Sequence, residues 1–248
     1  MLTSQQMDRW AQDGFLHIPQ FFDAADLQQW TQEMTDWPET AGKWMKYFES
    51  SEDGSKDRML CRIEYFLSFH DGWRGVILDP RLMDILGALF KEPAVLFKEK
   101  LNYKLPGGNG FTAHQDAPAF ATFGQEYHIT AMVSIDATTI ENGCLEMATG
   151  HHLEGLLEMT PDKVLSQRAI DSLTWTPLET QPGDLVLFGS FIPHRSPANR
   201  STGPRRAAYI TYNGVSQGAF RDQYYSHKRQ VFPPEVEREA GKLSLIHI

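Results

Sequence analysis

Cysteine is scarce in this chain, which has Cys61 and Cys144 and no others. They lie far apart and no CxxC pair exists, so the sequence offers neither a zinc ribbon nor a thioredoxin-type redox motif. Two isolated cysteines are typical of reduced thiols in a reducing compartment. Residues 1–14 have neither a basic segment nor an apolar one, so we expect no secretory signal and a cytoplasmic protein.

Long apolar runs and an excess of positive charge are also missing. No run approaches the roughly 20 apolar residues that a membrane-spanning helix needs. The 248 residues include 23 Lys and Arg against 32 Asp and Glu, a net charge of −9. An acidic chain repels nucleic acid phosphates and anionic lipid, so we expect a small-molecule partner and neither nucleic acid nor membrane. This balance still allows a local basic pocket for a small anion.

The first 94 residues or so read as a helical layer. Capping residues, a proline in a first turn and apolar stripes predict three helices and one short strand. The segment 37–57 mixes proline, glycine, serine and charges without a clean period, which predicts a long loop. The predicted elements are a helix from Thr3 or Ser4 to Gln12 ended by Gly14, a strand 15–19, a helix 24–35 capped by Asp23, and a helix 80–90.

From residue 95 the pattern changes to short β-rich runs separated by turn residues. This is typical of an antiparallel sandwich or barrel. We therefore predict a mostly β protein with flanking helices, in one domain over 1–248: a helical layer to about 94, a β core over about 95–215 and a C-terminal extension over about 216–248. An insertion over 154–173 has partial helical character. The predicted strands are 95–103, 111–115, 127–135, 143–148, 185–191 and 206–213.

His114 and Asp116 form the first half of a candidate metal site. Residues two apart in a strand share a face, so both side chains can reach one ion. Such a pair is weak evidence alone, since it is more often part of a surface loop. His194, which follows the β run 184–188, adds a second imidazole. Two histidines and one carboxylate form the facial triad of iron(II) oxygenases, with zinc as the chemical rival.

Eleven residues after His194, Arg205 begins the last predicted strand. A guanidinium there is a fork that binds a carboxylate through two hydrogen bonds. Arg205 and its neighbour Arg206 face opposite sides of a strand, so one of them at most points inward. The alternative is that both are solvated charges at a sheet edge.

Taken together, these motifs resemble the phytanoyl-CoA dioxygenase superfamily of iron(II)- and 2-oxoglutarate-dependent oxygenases. The opening Asp-Gly-Phe-Leu-His-Ile-Pro at 13–19, the Asn-Gly segment 142–152 and the Pro-Gly-Asp turn at 182–184 match as well, with Thr149 and His151 as local departures. The resemblance spans nearly the whole chain. It implies a double-stranded β-helix, or jelly-roll, core similar to that of cupins, with Fe(II), 2-oxoglutarate and O2.

The resemblance also implies roles for single residues. His114, Asp116 and His194 hold the metal and so carry the catalysis, Arg205 binds the distal carboxylate of 2-oxoglutarate, and Ser196 hydrogen-bonds it. Gln115 and Asn102 match further 2-oxoglutarate contacts. Met132 stands where some members have a tryptophan that touches the cosubstrate.

The substrate prediction depends on one strand. Lys98, Lys100, Asn102 and Lys104 share a face, and the first three would make a cationic pocket if that face points inward; the alternative is a solvent-facing lysine row on an edge strand. Arg62 and Glu64 could add a charge pair. Such a pocket suits a small anionic or zwitterionic substrate, and the motifs resemble the branch that hydroxylates 2-aminoethylphosphonate.

Other functions stay open at this point. An acyl-CoA would need a larger basic groove, whereas an amino-acid-derived substrate remains an alternative for the hydroxylase. A non-oxidative metal enzyme and a catalytically silent binding module on the same barrel are alternatives of another class. Arg205 and Ser196 argue against the first, which needs no dicarboxylate clamp, and the intact triad argues against the second. We expect structural roles for the remaining histidines of interest, namely His128, His151 and His152.

Overall fold

Two antiparallel sheets dominate the computed structural model, which describes residues 2–238. The last part of the predicted C-terminal extension, residues 239–248, lies outside the described residues. The helices are α1 Ser4–Asp13, α2 Ala24–Thr35, α3 Asp71–Ile77, α4 Pro80–Phe90, α5 Ala117–Phe120, α6 Gln167–Ser172 and α7 Arg221–Val231. The strands are β1 Phe15–Ile18, β2 Met45–Glu49, β3 Met59–Glu64, β4 Ala94–Lys104, β5 Phe111–His114, β6 His128–Ser134, β7 Leu145–Met147, β8 Thr176–Leu178, β9 Leu185–Gly189, β10 His194–Ser196 and β11 Arg205–Gly214.

The N-terminal helices form where their caps predict them. The Thr3 hydroxyl accepts from the backbone N–H of Gln6, and Gly14 ends α1 with a φ of 78°, a left-handed conformation that glycine adopts freely. Asp23 caps α2 in the same way, and α4 begins at Pro80. These three predicted helices are confirmed.

The strands alternate between the two sheets along the chain. One sheet has the order β1-β9-β6-β11-β4-β3-β2 and the other the order β5-β10-β7-β8. From β4 to β7 each successive strand joins the opposite sheet, and β9, β10 and β11 alternate again. This alternation is the jelly-roll arrangement, and the predicted fold class is confirmed.

One predicted element is wrong. The segment 37–57 is not a continuous loop, because it contains β2, which pairs with β3 from Met45 opposite Glu64 to Glu49 opposite Met59. Charged residues hide the β pattern of both strands in the sequence. β3 is stabilised by its pairing with β4, and β2 adds to β3 at the edge of the sheet. Residues 1–94 therefore supply three strands as well as four helices, and the division of one domain at about 94 and 215 stays a prediction.

Apolar packing on both faces of the larger sheet positions the site. Its outer face packs against the helices around fully buried Trp73 and Leu86. Its inner face meets the smaller sheet, where Phe188 and Tyr209 pack against Leu145. The site therefore lies between the sheets. Within residues 2–238, every helix is too short or too polar to cross a membrane.

Candidate active site

The predicted metal ligands meet between the two sheets. His114 ends β5 and His194 begins β10, and the two are directly paired in the antiparallel register. Asp116 lies two residues after the end of β5, and its carboxylate lies 3.8 Å from Nε2 of His114. One ligand atom from each of the three residues lies within 4.8 Å of the others. The sequence spacing and a long-range strand pairing therefore bring together two imidazoles and one carboxylate.

Backbone contacts orient both imidazoles. Nδ1 of His114 lies 2.7 Å from the carbonyl oxygen of Thr112, and Nδ1 of His194 lies 3.0 Å from that of Ile192. Since a carbonyl only accepts, each Nδ1 carries the proton and each Nε2 offers its lone pair to the site. This is the tautomer that a metal-binding histidine needs.

The protonation states also suit a cation. Burial, helped by His194, lowers the pKa of His114 to about 4, so its imidazole is neutral near pH 7. Burial would raise the pKa of Asp116, but His194, His114 and Lys98 outweigh it and the net shift is downward. Neutral imidazoles and an ionised carboxylate are the forms that bind a divalent metal, so the three residues fit Fe(II).

Arg205 is a buried cation without a counter-charge. Its side chain is 1% exposed, Nη2 donates to the Tyr209 hydroxyl at 3.1 Å, and Nε has no hydrogen-bond partner. Among residues 2–238 no carboxylate forms an ion pair with it. A buried guanidinium is costly unless an anion pairs with it, so this position fits a carboxylate of 2-oxoglutarate. Arg205 is not among the residues that line the cavity, but it donates to the hydroxyl of Tyr209, which does line it.

Arg206 shows the opposite arrangement. Its Nε and Nη2 donate to the two oxygens of Asp136, both at 2.8 Å. The alternation of β11 thus sends one arginine to a structural ion pair and leaves the other free for a ligand. This geometry excludes the alternative in which both arginines are solvated charges at a sheet edge.

Ser196 and Asn102 lie beside Arg205 and line the cavity. Asn102 is directly opposite Ala207 on β11, and its Oδ1 has no partner among the described residues. Ser196 donates to the Gly143 carbonyl at 2.8 Å and accepts from the ammonium of Lys104. A turn glycine is required at 143, because a Cβ there would lie 2.1 Å from the Pro197 carbonyl oxygen.

Lys104 is the fourth of the β4 residues that share a face with Lys98, and it lies next to Ser196 at the C-terminal end of the strand. Its ammonium donates hydrogen bonds to the Ser196 hydroxyl, to the Gly143 carbonyl at 3.1 Å and to the Pro197 carbonyl at 2.5 Å. Burial and the neighbouring Arg205 lower the pKa of Lys104 to about 7. It therefore stabilises the loops around Ser196.

Gln115 is held by backbone groups on both sides. Its amide donates to the carbonyls of Phe191 at 2.6 Å and Gly155 at 2.8 Å, and it accepts from the N–H of Leu157 at 2.9 Å. Gln115 lies between the end of β5 and Asp116 and is not among the residues that line the cavity. These contacts tie the two metal-binding segments to the 155–157 loop, and the 2-oxoglutarate contact that the resemblance implies stays a prediction.

Met132 is likewise outside the cavity wall. It is fully buried in the inner apolar cluster between the sheets, opposite Tyr209 in register. Packing therefore accounts for it.

The cavity next to the metal ligands has about 430 Å³ of empty space, part of it open to solvent. Lys98, Lys100 and Asn102 of β4 line one side, and apolar Leu145 and Phe188 line another. Of the two orientations considered for the β4 lysines, the structure shows the inward one. We call His114, Asp116 and His194 the metal end of this cavity.

Lys98 and Lys100 are the unpaired cations of the cavity. Lys98 lies over the Phe120 ring at 4.0 Å and Lys100 over the Tyr209 ring at 5.4 Å, measured from Nζ to the ring centroid. Neither ammonium has a hydrogen bond or ion pair to any residue from 2 to 238. Burial and the mutual repulsion of neighbouring cations lower both pKa values, that of Lys98 strongly.

The predicted charge pair is buried behind Lys100. Glu64 is 1% exposed and accepts 2.6 Å hydrogen bonds at both oxygens from Lys228 and one of 3.1 Å from Arg62. Burial alone would raise the pKa of Glu64, but Lys228 and Arg62 outweigh it and lower it to about 2. Arg62 and Glu64 do not line the cavity, so direct substrate contact is not supported. We call Arg62, Glu64 and Lys228, together with Lys98 and Lys100, the cationic end.

Sequence reasoning missed Lys228 because it missed α7. The helix has no side-chain N-cap, and its polar sequence gives no clear apolar stripe. A run from 221 to 231 without glycine or proline was the available signal.

The spare histidines are placed by other contacts. His128 is 1% exposed and packs against Phe97 and Phe120. His151 pairs with Glu154, and His152 contacts the Ala11 carbonyl. None of them belongs to the His-Asp-His group of the described chain.

A jelly roll with a His-Asp-His group between its sheets defines the class of iron(II) oxygenases. The family described as phytanoyl-CoA dioxygenase matches residues 10–207. The chain therefore belongs to the phytanoyl-CoA dioxygenase family. The predictions of a dioxygenase, with Fe(II) and 2-oxoglutarate as metal and cosubstrate, are confirmed.

Two relatives align over nearly the whole chain. A 2-aminoethylphosphonate dioxygenase from the uncultured bacterium HF130_AEPn_1 is 51% identical over 243 residues, covering 97% of this chain and 92% of the relative. A methylphosphonate hydroxylase from Gimesia maris is 42% identical over 244 residues, with coverage of 97% and 92%.

Solved structures share the fold at lower identity. EctD from S. alaskensis, in its structure with 2-oxoglutarate and 5-hydroxyectoine, matches with a TM-score of 0.73 at 20% identity, covering 87% of this chain and 77% of that one. The epimerase SnoN from nogalamycin biosynthesis matches with a TM-score of 0.68, also at 20% identity, covering 85% and 82%. These similarities show that the chain shares the fold of these proteins.

Proposed function

We propose that this chain is an iron(II)- and 2-oxoglutarate-dependent hydroxylase of a small organophosphonate, with 2-aminoethylphosphonate as the first candidate. The reaction consumes 2-oxoglutarate and O2 and releases succinate and CO2. The metal and cosubstrate supply the oxidising chemistry when bound. The chain supplies the ligands, the orientation and a cavity partly closed to water.

The observation that carries this proposal is the pair of unpaired ammonium groups, Lys98 and Lys100, beside the metal end. A phosphonate has up to two negative charges and three acceptor oxygens on one tetrahedral head group, so it suits two adjacent cations. The names of the two most similar relatives reported above, both phosphonate enzymes, support the same chemistry.

In this proposal each polar residue has one task. His114, Asp116 and His194 hold Fe(II). Arg205 pairs with the distal carboxylate of 2-oxoglutarate, with Asn102 and Ser196 as further candidate contacts, while Lys98 and Lys100 bind the phosphonate. The substrate carbon nearest the metal is then the one that loses a hydrogen atom.

The alternatives fit these contacts less well. An acyl-CoA has a long, highly charged nucleotide portion, and the described cavity of about 430 Å³ offers it two cations only. An amino-acid-derived carboxylate leaves one of the two cations unpaired. A non-oxidative metal enzyme or silent module leaves the unpartnered Arg205 without a reason.

The test is succinate release from the Fe(II)-loaded protein with a matched panel of substrates. We expect 2-aminoethylphosphonate or methylphosphonate to stimulate succinate formation well above background. Their carboxylate counterparts, β-alanine and acetate, should not, because one charge replaces two on a planar head group. Stimulation by an acyl-CoA or by β-alanine alone would contradict the proposal.

A variant pair assigns the effect to the cationic end. Lys100→Met removes a charge-assisted hydrogen bond, so the KM for the phosphonate should rise about tenfold to a hundredfold. Lys43→Met removes an exposed lysine that does not line the cavity and should leave KM unchanged. An unchanged KM in Lys100→Met would rule out this lysine as a phosphonate contact.

We place this activity in the cytoplasm with a small molecule as partner. The free cysteines Cys61 and Cys144 fit a reducing compartment. The absence of nucleic acid and membrane partners stays a prediction from the acidic charge.

A further inference from the structure

Glu64 occupies a position from which it could neutralise the substrate-binding cations. It lies directly opposite Lys100 in the antiparallel register of β3 and β4. Opposite residues on one face of a sheet have Cβ atoms about 5 Å apart, which is within reach of a Glu–Lys ion pair. Glu64 nevertheless makes no ion pair with Lys100.

Two other cations hold the Glu64 carboxylate instead. Lys228 contacts both oxygens at 2.6 Å, and Arg62 contacts Oε1 at 3.1 Å. The side chains of these three residues are 1 to 16% exposed, so water screens the contacts little. Buried partners of this kind fix the carboxylate in one orientation.

A separate set of contacts anchors the helix that brings Lys228. Arg221 on α7 pairs with Glu99 of β4, through Nε at 2.9 Å and through Nη2. The Tyr225 hydroxyl donates to the Glu99 carbonyl at 2.6 Å and accepts from its N–H at 2.9 Å. Removing Lys228 alone therefore leaves α7 attached to the sheet.

We infer that Lys228, with Arg62, is a positioning residue that commits the Glu64 carboxylate and so keeps the Lys100 ammonium available to the substrate. This inference rests on the proposed function. Glu64 is the carboxylate directly opposite Lys100, and Lys228 and Arg62 hold it. With Glu64 held by these two partners, Lys98 and Lys100 both line the cavity, and their two amino groups match the two charges of a phosphonate.

The test is a double-variant rescue, read as the KM for methylphosphonate and for 2-aminoethylphosphonate in succinate release. Lys228→Met frees Glu64 to pair with Lys100, so KM should rise about tenfold, the loss of one charge-assisted contact. The kcat and the KM for 2-oxoglutarate should change much less. Lys228→Arg keeps the pair and should behave like the wild type.

The decisive arm is Lys228→Met combined with Glu64→Gln, which removes the competing carboxylate. The KM should return to within about threefold of the wild-type value. A purely structural role for Lys228 predicts no such rescue, because the double variant has lost both partners. Thermal unfolding of every variant, measured in parallel, accounts for changes in stability.

Three results would overturn the inference. Where the wild-type protein turns over a phosphonate, an unchanged KM in Lys228→Met contradicts the inference and leaves the proposed function intact. A double variant whose KM is not rescued does the same. A KM rise in Glu64→Gln for 2-aminoethylphosphonate but not for methylphosphonate makes Glu64 a contact for the substrate amine instead. A wild type that neither binds nor oxidises any phosphonate contradicts the proposed function itself.

Discussion

The metal end and the cationic end of the same cavity are built in different ways. At the metal end, His114 and Asp116 are two residues apart at the end of β5, and one strand pair adds His194. At the cationic end, charges from β3, β4 and α7 meet only through tertiary packing, and Lys228 comes 164 residues after the glutamate that it binds.

The difference teaches where substrate selection resides. The metal end contains the groups that any iron(II) oxygenase of this kind needs. The cationic end contains two unpaired ammonium groups and one committed carboxylate, an arrangement specific to a small dianion. Changes at the metal end should therefore abolish all turnover, and changes at the cationic end should alter the KM for the substrate.

The largest effect should come from the metal end. His114→Ala or Asp116→Ala removes a metal ligand, so Fe(II) binding and succinate formation should fall on the order of a thousandfold or more. Titration of the apoprotein with Fe(II) and a succinate assay measure the two losses. His151→Ala, an exposed histidine paired with Glu154, is the control that should keep both. Wild-type turnover in either variant would contradict the assignment of these residues as metal ligands, and with it the contrast between the two ends of the cavity.

The next effect separates cosubstrate from substrate. Arg205→Met should raise the KM for 2-oxoglutarate about a hundredfold, because a buried carboxylate loses its guanidinium partner at a cost of about 3 kcal/mol. Arg206→Met is the matched control on the same strand: it breaks the Asp136 pair and should lower stability with little change in that KM. Equal KM effects in both variants would mean that strand integrity, and not Arg205, governs cosubstrate binding.

A pH series sharpens the cationic end. The pKa values of Lys98 and Lys100 are lowered, so these ammonium groups lose their protons at a lower pH than an ordinary lysine, whose pKa is about 10.4. The phosphonate KM should therefore rise as the pH is raised from neutral towards about 10.4, and the rise should begin at a lower pH than an ordinary lysine would give. Lys100→Arg keeps its charge in this range and should flatten the rise. The same slope in both proteins would exclude titration of Lys100 as its source.

The smallest effect concerns the link between the two metal-binding segments. Gln115→Ala leaves partly buried backbone groups of Phe191 and Leu157 without this partner, which should lower the free energy of unfolding by about 1 to 2 kcal/mol. Denaturant unfolding measures this loss. The KM for 2-oxoglutarate should stay near the wild-type value, and a large increase would support the direct contact that the resemblance implies.

The contrast between the two ends also explains what the sequence could predict. The positions of α1, α2 and α4, the β run after 95 and the metal ligands follow from caps, periods and spacing, which are local properties. β2, α7 and the commitment of Glu64 by Lys228 depend on contacts between distant segments, so no local pattern reveals them. The contact implied for Gln115 stays a prediction, because a motif position does not say which way a side chain points.

Oxygen-18 labelling of the complete reaction tests the central claim most directly. The Fe(II)-loaded protein is supplied with 2-oxoglutarate, 2-aminoethylphosphonate and oxygen-18 gas. The oxygen-18 content of the products is then measured by mass spectrometry. We expect one labelled oxygen in succinate and one in a hydroxylated phosphonate, formed in equal amounts, with both lost in His114→Ala. Labelled succinate beside an unchanged phosphonate, for both 2-aminoethylphosphonate and methylphosphonate, would contradict the account.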